Sequence, residues 1–330
     1  MKAARPILIS SAISVTFMVS TIAAAQPHVA AGYPSKPIRL VTSGPPGSPP
    51  DVLARVTSEP LAAALGRPVV VDNRPGGSGT IGMAVVAKAA PDGHTLGIIS
   101  LSAMVAPGLV AQMPYDTARD FAPVAQLAWT ANILVVRASS PLKSVADYVA
   151  LAKTKPGQLT IATSGNGTPS HLTSELFRRR AGIEVHHIPY KGIASAIAAV
   201  LGQEVDIAFA GVATAAPLVK SGRLRALGTA SARRLPAFPD LPTISELGFP
   251  GFAVYQWDGV VAPAGTPPGV IARLAKELAR VISLPEVNQR LESIGLHPAE
   301  KPGTEAFAAL LRDELPRWTK LAREAGIRAD

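Results

Sequence analysis

The strongest constraint on the fold is an alternation. Short apolar runs recur along the chain, and most lead into a Gly-, Ser-, Thr- or Pro-rich turn and then a helical stretch. "PIRLVTS" (37–43), "PVVVDN" (68–73), "HTLGIISLS" (94–102), "ANILVVRAS" (131–139), "QLTIATS" (158–164), "IEVHHI" (183–188), "EVDIAFA" (204–210) and "LRALGTA" (224–230) read as strands. Between them, "VLARVTSEPLAAAL", "GTIGMAVVAKAA", "VADYVALAK", "LTSELFRRR", "IASAIAAVLG" and "ATAAPLVKSG" read as helices. Asp51 reads as the cap of the first helix, and Pro60 is expected to kink or break it. Ser144 and Asp147 form a capping box for the third. Strand, turn and helix in succession specify α/β layers over largely parallel sheets. The C-terminal part differs. A helix starts at Thr266-Pro267, a second is "PEVNQRLESIG", and in the last Phe307, Leu310, Leu311, Leu315, Trp318 and Leu321 share one face. With no strand between them, these helices are expected to pack on a sheet already built.

Composition narrows the class. A chain of 330 residues, 48% hydrophobic and 17% charged, has enough apolar surface for two domains and no long polar tract. Lys2 and Arg5 precede an uncharged stretch that ends in Ala23-Ala24-Ala25, the layout of a Sec-type signal peptide over residues 1–25. Its Ser and Thr residues leave an apolar centre shorter than the ~20 residues a membrane span needs. The chain has no Cys, which excludes disulfides, thiolate zinc sites, a cysteine nucleophile and a lipoprotein anchor. The expected location is therefore periplasmic, with cleavage near Ala25. The formal charge of +9 is scattered. Its densest cluster, Arg178-Arg179-Arg180, suits a solvated helix end, and few aromatics lie beside it to stack bases, so nucleic acid is not an expected partner. Of the six His residues, His186 and His187 are adjacent on a strand and point to opposite faces, and no metal-binding spacing occurs. No metal or organic cofactor is expected.

The loops carry the functional signal. Gly77, Gly79 and Gly82 spell G-x-G-x-x-G, but Asp72 to Gly76 separate them from the preceding strand and no acid lies at the distance a ribose contact needs. A dinucleotide site is therefore rejected. "PPGSPPD" (45–51), "NRPGGSGTIG" (73–82) and "SGNGTPSH" (164–171) all run into helices. Free N–H groups at helix starts, beside small hydroxyls, bind anions without a basic side chain. Gly165 and Gly167 let the backbone approach a ligand closely, and Ser164, Thr168 and Ser170 supply hydroxyls. Ser48, the amides around Gly47, and Ser100 and Ser102 are expected to answer from the other side. An exported hydrolase using Ser164 and His171, with Asp206 as a third member, is the competing reading.

These loops, in this order, resemble the tripartite tricarboxylate transporter receptors, the Bug family of periplasmic solute-binding proteins. "VVVDNRPGGSGTIG", "PDGHTLGIIS", "SGNGTPSHL", "HIPYKG", "GRLRALGTASARRLPAFPDLPTISELGFPGF" and "WDGVVAPAGTP" carry the resemblance across the mature chain. It implies a type II-like two-lobed binding protein, with the second lobe (131–255) inserted into the first (26–130 and 256–330). The strands would cross near 128–133 and 253–258. It also implies a small carboxylate ligand in the cleft between the lobes and a monomer. Delivery would be to membrane transporter subunits, with a sensor kinase as the alternative partner. The implied ligand-binding set adds Asp51, Asn166, His171, Tyr190 and Ala210 to the loop residues above. Two departures from the family pattern stand out. Ser48 and Pro50 alter the first loop, and Ala210 stands where the family often has an acid. The second favours a ligand without an ammonium group, such as a di- or tricarboxylate or an aromatic acid.

Overall fold

The computed structural model describes residues 32–327, so the expected leader at 1–25 lies outside the described residues. The strands are β1 (Ile38–Thr42), β2 (Val69–Asn73), β3 (Thr95–Ser100), β4 (Phe121–Thr130), β5 (Asn132–Arg137), β6 (Thr160–Thr163), β7 (His186–Pro189), β8 (Ile207–Gly211), β9 (Leu224–Thr229), β10 (Gln256–Pro263) and β11 (His297–Pro298). The helices are α1 (Pro49–Leu65), α2 (Thr80–Ala87), α3 (Leu101–Leu109), α4 (Val145–Thr154), α5 (Pro169–Ala181), α6 (Ile193–Gly202), α7 (Val212–Lys220), α8 (Pro268–Ile282), α9 (Pro285–Ser293) and α10 (Thr304–Glu324).

Two sheets result. One has the order β11-β4-β10-β3-β1-β2, the other β7-β6-β8-β5-β9. Within the first, β1 pairs parallel with β2 and β3, while β10 runs antiparallel between β3 and β4. Within the second, β6 pairs parallel with β7 and β8, and β5 runs antiparallel between β8 and β9. The second sheet is built wholly from residues between β4 and β10, the two-lobed arrangement of type II-like binding proteins. The passage out is abrupt: β4 ends at Thr130 and β5 begins at Asn132. On the way back, Val254 N–H still donates to Ala230 O beside β9, and Gln256 already pairs with Thr130.

Several local expectations hold. Ser144 Oγ accepts from Asp147 N–H at 3.0 Å and starts α4. The basic triplet closes α5, where Arg178 and Arg179 pair with Glu175. Phe307 and Trp318 of α10 are buried, and Leu310, Leu311 and Leu315 pack on the same core.

Others need correction. The cap of α1 is Ser48 rather than Asp51, and the helix continues through Pro60 without a break. Leu101 and Ser102 open helix α3 ("LSAMVAPGL") rather than ending the strand before it. β4 escapes a pattern reading because Pro123 and Gln126 interrupt its apolar run. In the structure Pro123 sits where the β4–β10 register shifts, a place where a missing N–H is tolerated. The C-terminal helices are also not uninterrupted, since β11 adds a two-residue edge strand beside β4. The glycine turn at 76–82 is a packing device: a Cβ on Gly82 would stand 3.0 Å from Arg74 O and 3.1 Å from Ser43 Cα.

Candidate functional site

The parallel strands of each sheet aim their carboxyl ends at a common space, the place where open α/β sheets bind ligands. Five helices begin there. Pro49 and Pro50 of α1, Leu101 and Ser102 of α3, Pro169 and Ser170 of α5, Ile193 of α6 and Val212, Ala213 and Thr214 of α7 all line one cavity of about 320 Å3. Each helix start carries partial positive charge from unpaired N–H groups. The three prolines have no N–H, so α3, α6 and α7 and the rest of the α5 turn supply the donors. The remaining lining comes from Ser100, Thr130, Asn132, Ser164, Thr168, Gly211, residues 256–258 of β10 and residues 294–296.

The floor is polar and closely fitted. Asn132, 2% exposed, donates from Nδ2 to Thr173 Oγ1 at 3.1 Å and accepts at Oδ1 from Gln256 Nε2 at 2.7 Å. This ties both passages between the sheets to α5. Thr130 Oγ1 donates to Gly295 O at 2.8 Å. Among the lining residues only Asp258 carries a formal charge. It lies on β10 opposite Ser100 of β3 and is 7% exposed. Its carboxyl has no hydrogen-bond or ion-pair partner among the described residues, and burial pushes its pKa up to about 7.

The walls already touch at two points. A Cβ on Gly295 would stand 2.6 Å from Ala213 Cβ, and one on Gly167 would stand 2.4 Å from Leu109 Cδ1. Both glycines have positive φ and face residues carried by the other sheet's helices. Arg179 and Glu324 add an ion pair between α5 and α10 at 3.3 Å.

The expected site residues divide into two groups. Ser100, Ser102, Ser164 and Thr168 line the cavity together. Gly47, Ser48, Asp51, Gly165, Asn166, Gly167, His171, Tyr190 and Ala210 are not among its lining residues. Most of the second group serve the loops that shape it. Asp51, 2% exposed, accepts from Gly47 N–H, from Arg55 and from Asn73 Nδ2. Burial acts to raise its pKa, but those hydrogen bonds and the Arg55 charge outweigh burial and hold it below the ordinary carboxylate value. Ser48 Oγ turns back to Pro45 O at 2.6 Å. In the α5 loop, Thr168 Oγ1 donates to Gly165 O at 2.7 Å, and Gly167 N–H donates to His171 Nδ1 at 3.2 Å. His171 stacks on His187 at 3.8 Å, and His187 Nε2 meets Thr163 Oγ1 at 2.6 Å. Tyr190 packs partly buried against the core and donates its N–H to Thr163 O. Ala210 is fully buried in β8, and the next residue, Gly211, is the one at the cavity.

Of the hydrolase constellation, Asp206 stands apart from Ser164. Ser164 Oγ pairs with Ser170 Oγ at 2.8 Å. Asp206 accepts from the amide and hydroxyl of Thr160, at the far end of β6 from Ser164. Among the described residues no group of three or more His, Cys, Asp or Glu is placed to hold a metal ion. No described helix is long and apolar enough to cross a membrane.

Pattern reading missed Thr130, Asn132, Gln256, Asp258 and the 294–296 turn. A signal existed for Asp258, an acid inside the otherwise uncharged run "QWDGVVAP".

Comparison with known proteins places these features among relatives. The family model for the tripartite tricarboxylate transporter family receptor matches residues 53–327. Protein BugT of Bordetella pertussis is 36% identical over 314 residues, covering 94% of this chain and 95% of its own. MatC of Rhodopseudomonas palustris, solved with bound malate, superposes with a TM-score of 0.74 at 30% identity, covering 88% of this chain and 100% of the other. Rpa4515 of R. palustris, solved with adipate, gives 0.77 at 33% identity, covering 90% and 100%.

Proposed function

Because the chain belongs to the tripartite tricarboxylate transporter receptor family, a family of periplasmic solute-binding proteins, we propose that it captures a small carboxylate in the cavity between its two sheets and delivers it to the membrane subunits of such a transporter. One observation carries this reading: five helix starts converge on one cavity lined by no basic side chain. Backbone dipoles and small hydroxyls then provide the anion-binding potential. The cavity volume falls at the small end of ligand pockets, which suits a compact organic acid. Malate and adipate in the two solved neighbours support the same class.

The proposed division follows the sheets, with one lobe from 26–130 and 256–330 and the other from 131–255. The leader at 1–25 is removed on export. Ser164 holds one ligand carboxylate with the amides that open α5, Thr168 turns its hydroxyl proton from Gly165 O to the same group, and Ser100 and Ser102 act from the opposite wall. The protein binds and does not convert its ligand.

The test is a thermal-shift screen of the mature protein against carboxylates, followed by calorimetry and product analysis. Free ligand at about 100 times Kd raises stability by roughly 2.7 kcal/mol. Saturable one-to-one binding with unaltered ligand is expected. Turnover of a bound compound, or stabilisation only by compounds lacking a carboxylate, refutes the proposal.

A further inference from the structure

The cavity holds a second feature that a plain anion site does not need. Asp258 is more than nine-tenths buried, lines the cavity, and has no hydrogen-bond or ion-pair partner among the described residues. No Lys, Arg or His lines the cavity to neutralise it. A buried carboxyl without a partner is costly, and native proteins satisfy such groups or use them. Of the helix starts that offer N–H donors to an anion, those of α5, α6 and α7 lie on the other wall, beyond the ends of β6, β7 and β8, while that of α3 follows Ser100 on Asp258's own wall. Most of the donor-bearing helix starts therefore face the wall that carries the one lone acid.

We infer that Asp258 receives a positively charged nitrogen of the ligand, so that the carboxylate taken by this cleft is an amino-acid-like zwitterion. The inference rests on the carboxylate-receptor reading above and names the substrate class within it. A diacid fits less well. Its second carboxylate would share the cavity with Asp258 and no cation, and two carboxylates in a desolvated site cannot both stay ionised. An ammonium group supplies the missing partner and forms charge-assisted hydrogen bonds. The inference departs from the expectation drawn from Ala210, a ligand without an ammonium group. Ala210 is fully buried in β8, and the acid that reaches the cavity stands on β10 instead.

Proton linkage separates the alternatives on the wild-type protein alone. The free carboxyl titrates near 7 because burial raises it. An ammonium partner lowers that value, so binding at neutral pH releases protons. A second carboxylate raises it, so binding takes protons up.

The experiment is calorimetry in buffers of different ionisation enthalpy, with wild type and Asp258→Asn, on matched probes: succinate with γ-aminobutyrate, and adipate with ε-aminocaproate. The expected result is tighter binding of the amino member, proton release in the wild type, and a loss of about 10- to 100-fold in the Asn variant. Preference for the diacids with proton uptake, or an Asn variant that binds amino carboxylates as tightly as wild type, overturns the assignment and leaves the carboxylate receptor standing. Binding of putrescine or choline with no carboxylate bound at all overturns the receptor reading but supports the role of Asp258.

Discussion

Asp258→Asn should stabilise the ligand-free protein, with a distinctive pH signature. Burial raises the Asp258 carboxyl from 3.8 to about 7 in the folded protein, while the unfolded chain keeps the ordinary value. From about pH 4 to 7, unfolded Asp258 has lost its proton and folded Asp258 retains it. The folded state thus binds more protons, and wild-type stability falls as pH rises through this window, then levels off. A shift of about 3 units, at 1.36 kcal/mol each, sets the fall at roughly 4 kcal/mol. Asparagine has nearly the same shape and does not titrate. The two proteins should therefore match near the bottom of the window and diverge across it, with the variant more stable above neutrality. Urea unfolding followed by tryptophan fluorescence at a series of pH values measures the difference directly. Trp257, the neighbour of Asp258, is fully buried and reports on this region. Parallel profiles for the two proteins would refute the claim that a desolvated carboxyl is held in the cleft. A gain in stability at the cost of ligand binding is the usual exchange at a binding site.

Three further outcomes follow from the site. Gly295→Ala puts a Cβ 2.7 Å from Ala213 N, so the walls cannot close; ligand affinity should drop by at least ~1.4 kcal/mol, or tenfold, in calorimetry, and unchanged affinity would show that the contact does not govern closure. Asp51→Asn should cost about 2 kcal/mol in urea unfolding at neutral pH, because the Gly47, Arg55 and Asn73 donors lose a buried carboxylate. Since the folded Asp51 pKa is depressed, its contribution is present above the unfolded value and is lost as pH falls through the folded one, so the variant should also show a flatter acid limb. Thr168→Val removes a hydroxyl that lines the cavity and gives its one proton to Gly165 O in the ligand-free protein; stability should fall by about 1 kcal/mol and, because a ligand has to draw that proton from Gly165 O, carboxylate affinity by about 1 kcal/mol, and an unaltered Kd would remove the hydroxyl from the binding set.

The chain's local chemistry determined much of this protein. Apolar runs leading into small-residue turns specify strands that end where helices begin, and that pattern depends only on near neighbours. It is why β1, β3, β6 and β8 and the loops around Ser100 and Ser164 are legible without a structure. The amphipathic face of α10 is legible for the same reason.

What stayed hidden depends on partners far along the chain. β4 and β10 are a pair whose shifted register accommodates Pro123, so neither strand announces itself alone. Asn132 and Gln256 meet across 124 positions, and Asp258 reaches the cavity only because β10 inserts between β3 and β4. The loop before α1 shows the limit from the other side. Gly47, Ser48 and Asp51 read as ligand groups, but in the structure they stand outside the cavity lining, and Asn73, at the end of another strand, gives Asp51 a partner inside the protein. A polar residue's type says which bonds it can make. Only the packed sheets decide which partners are within reach, and therefore which groups, like Asp258, are left for a ligand.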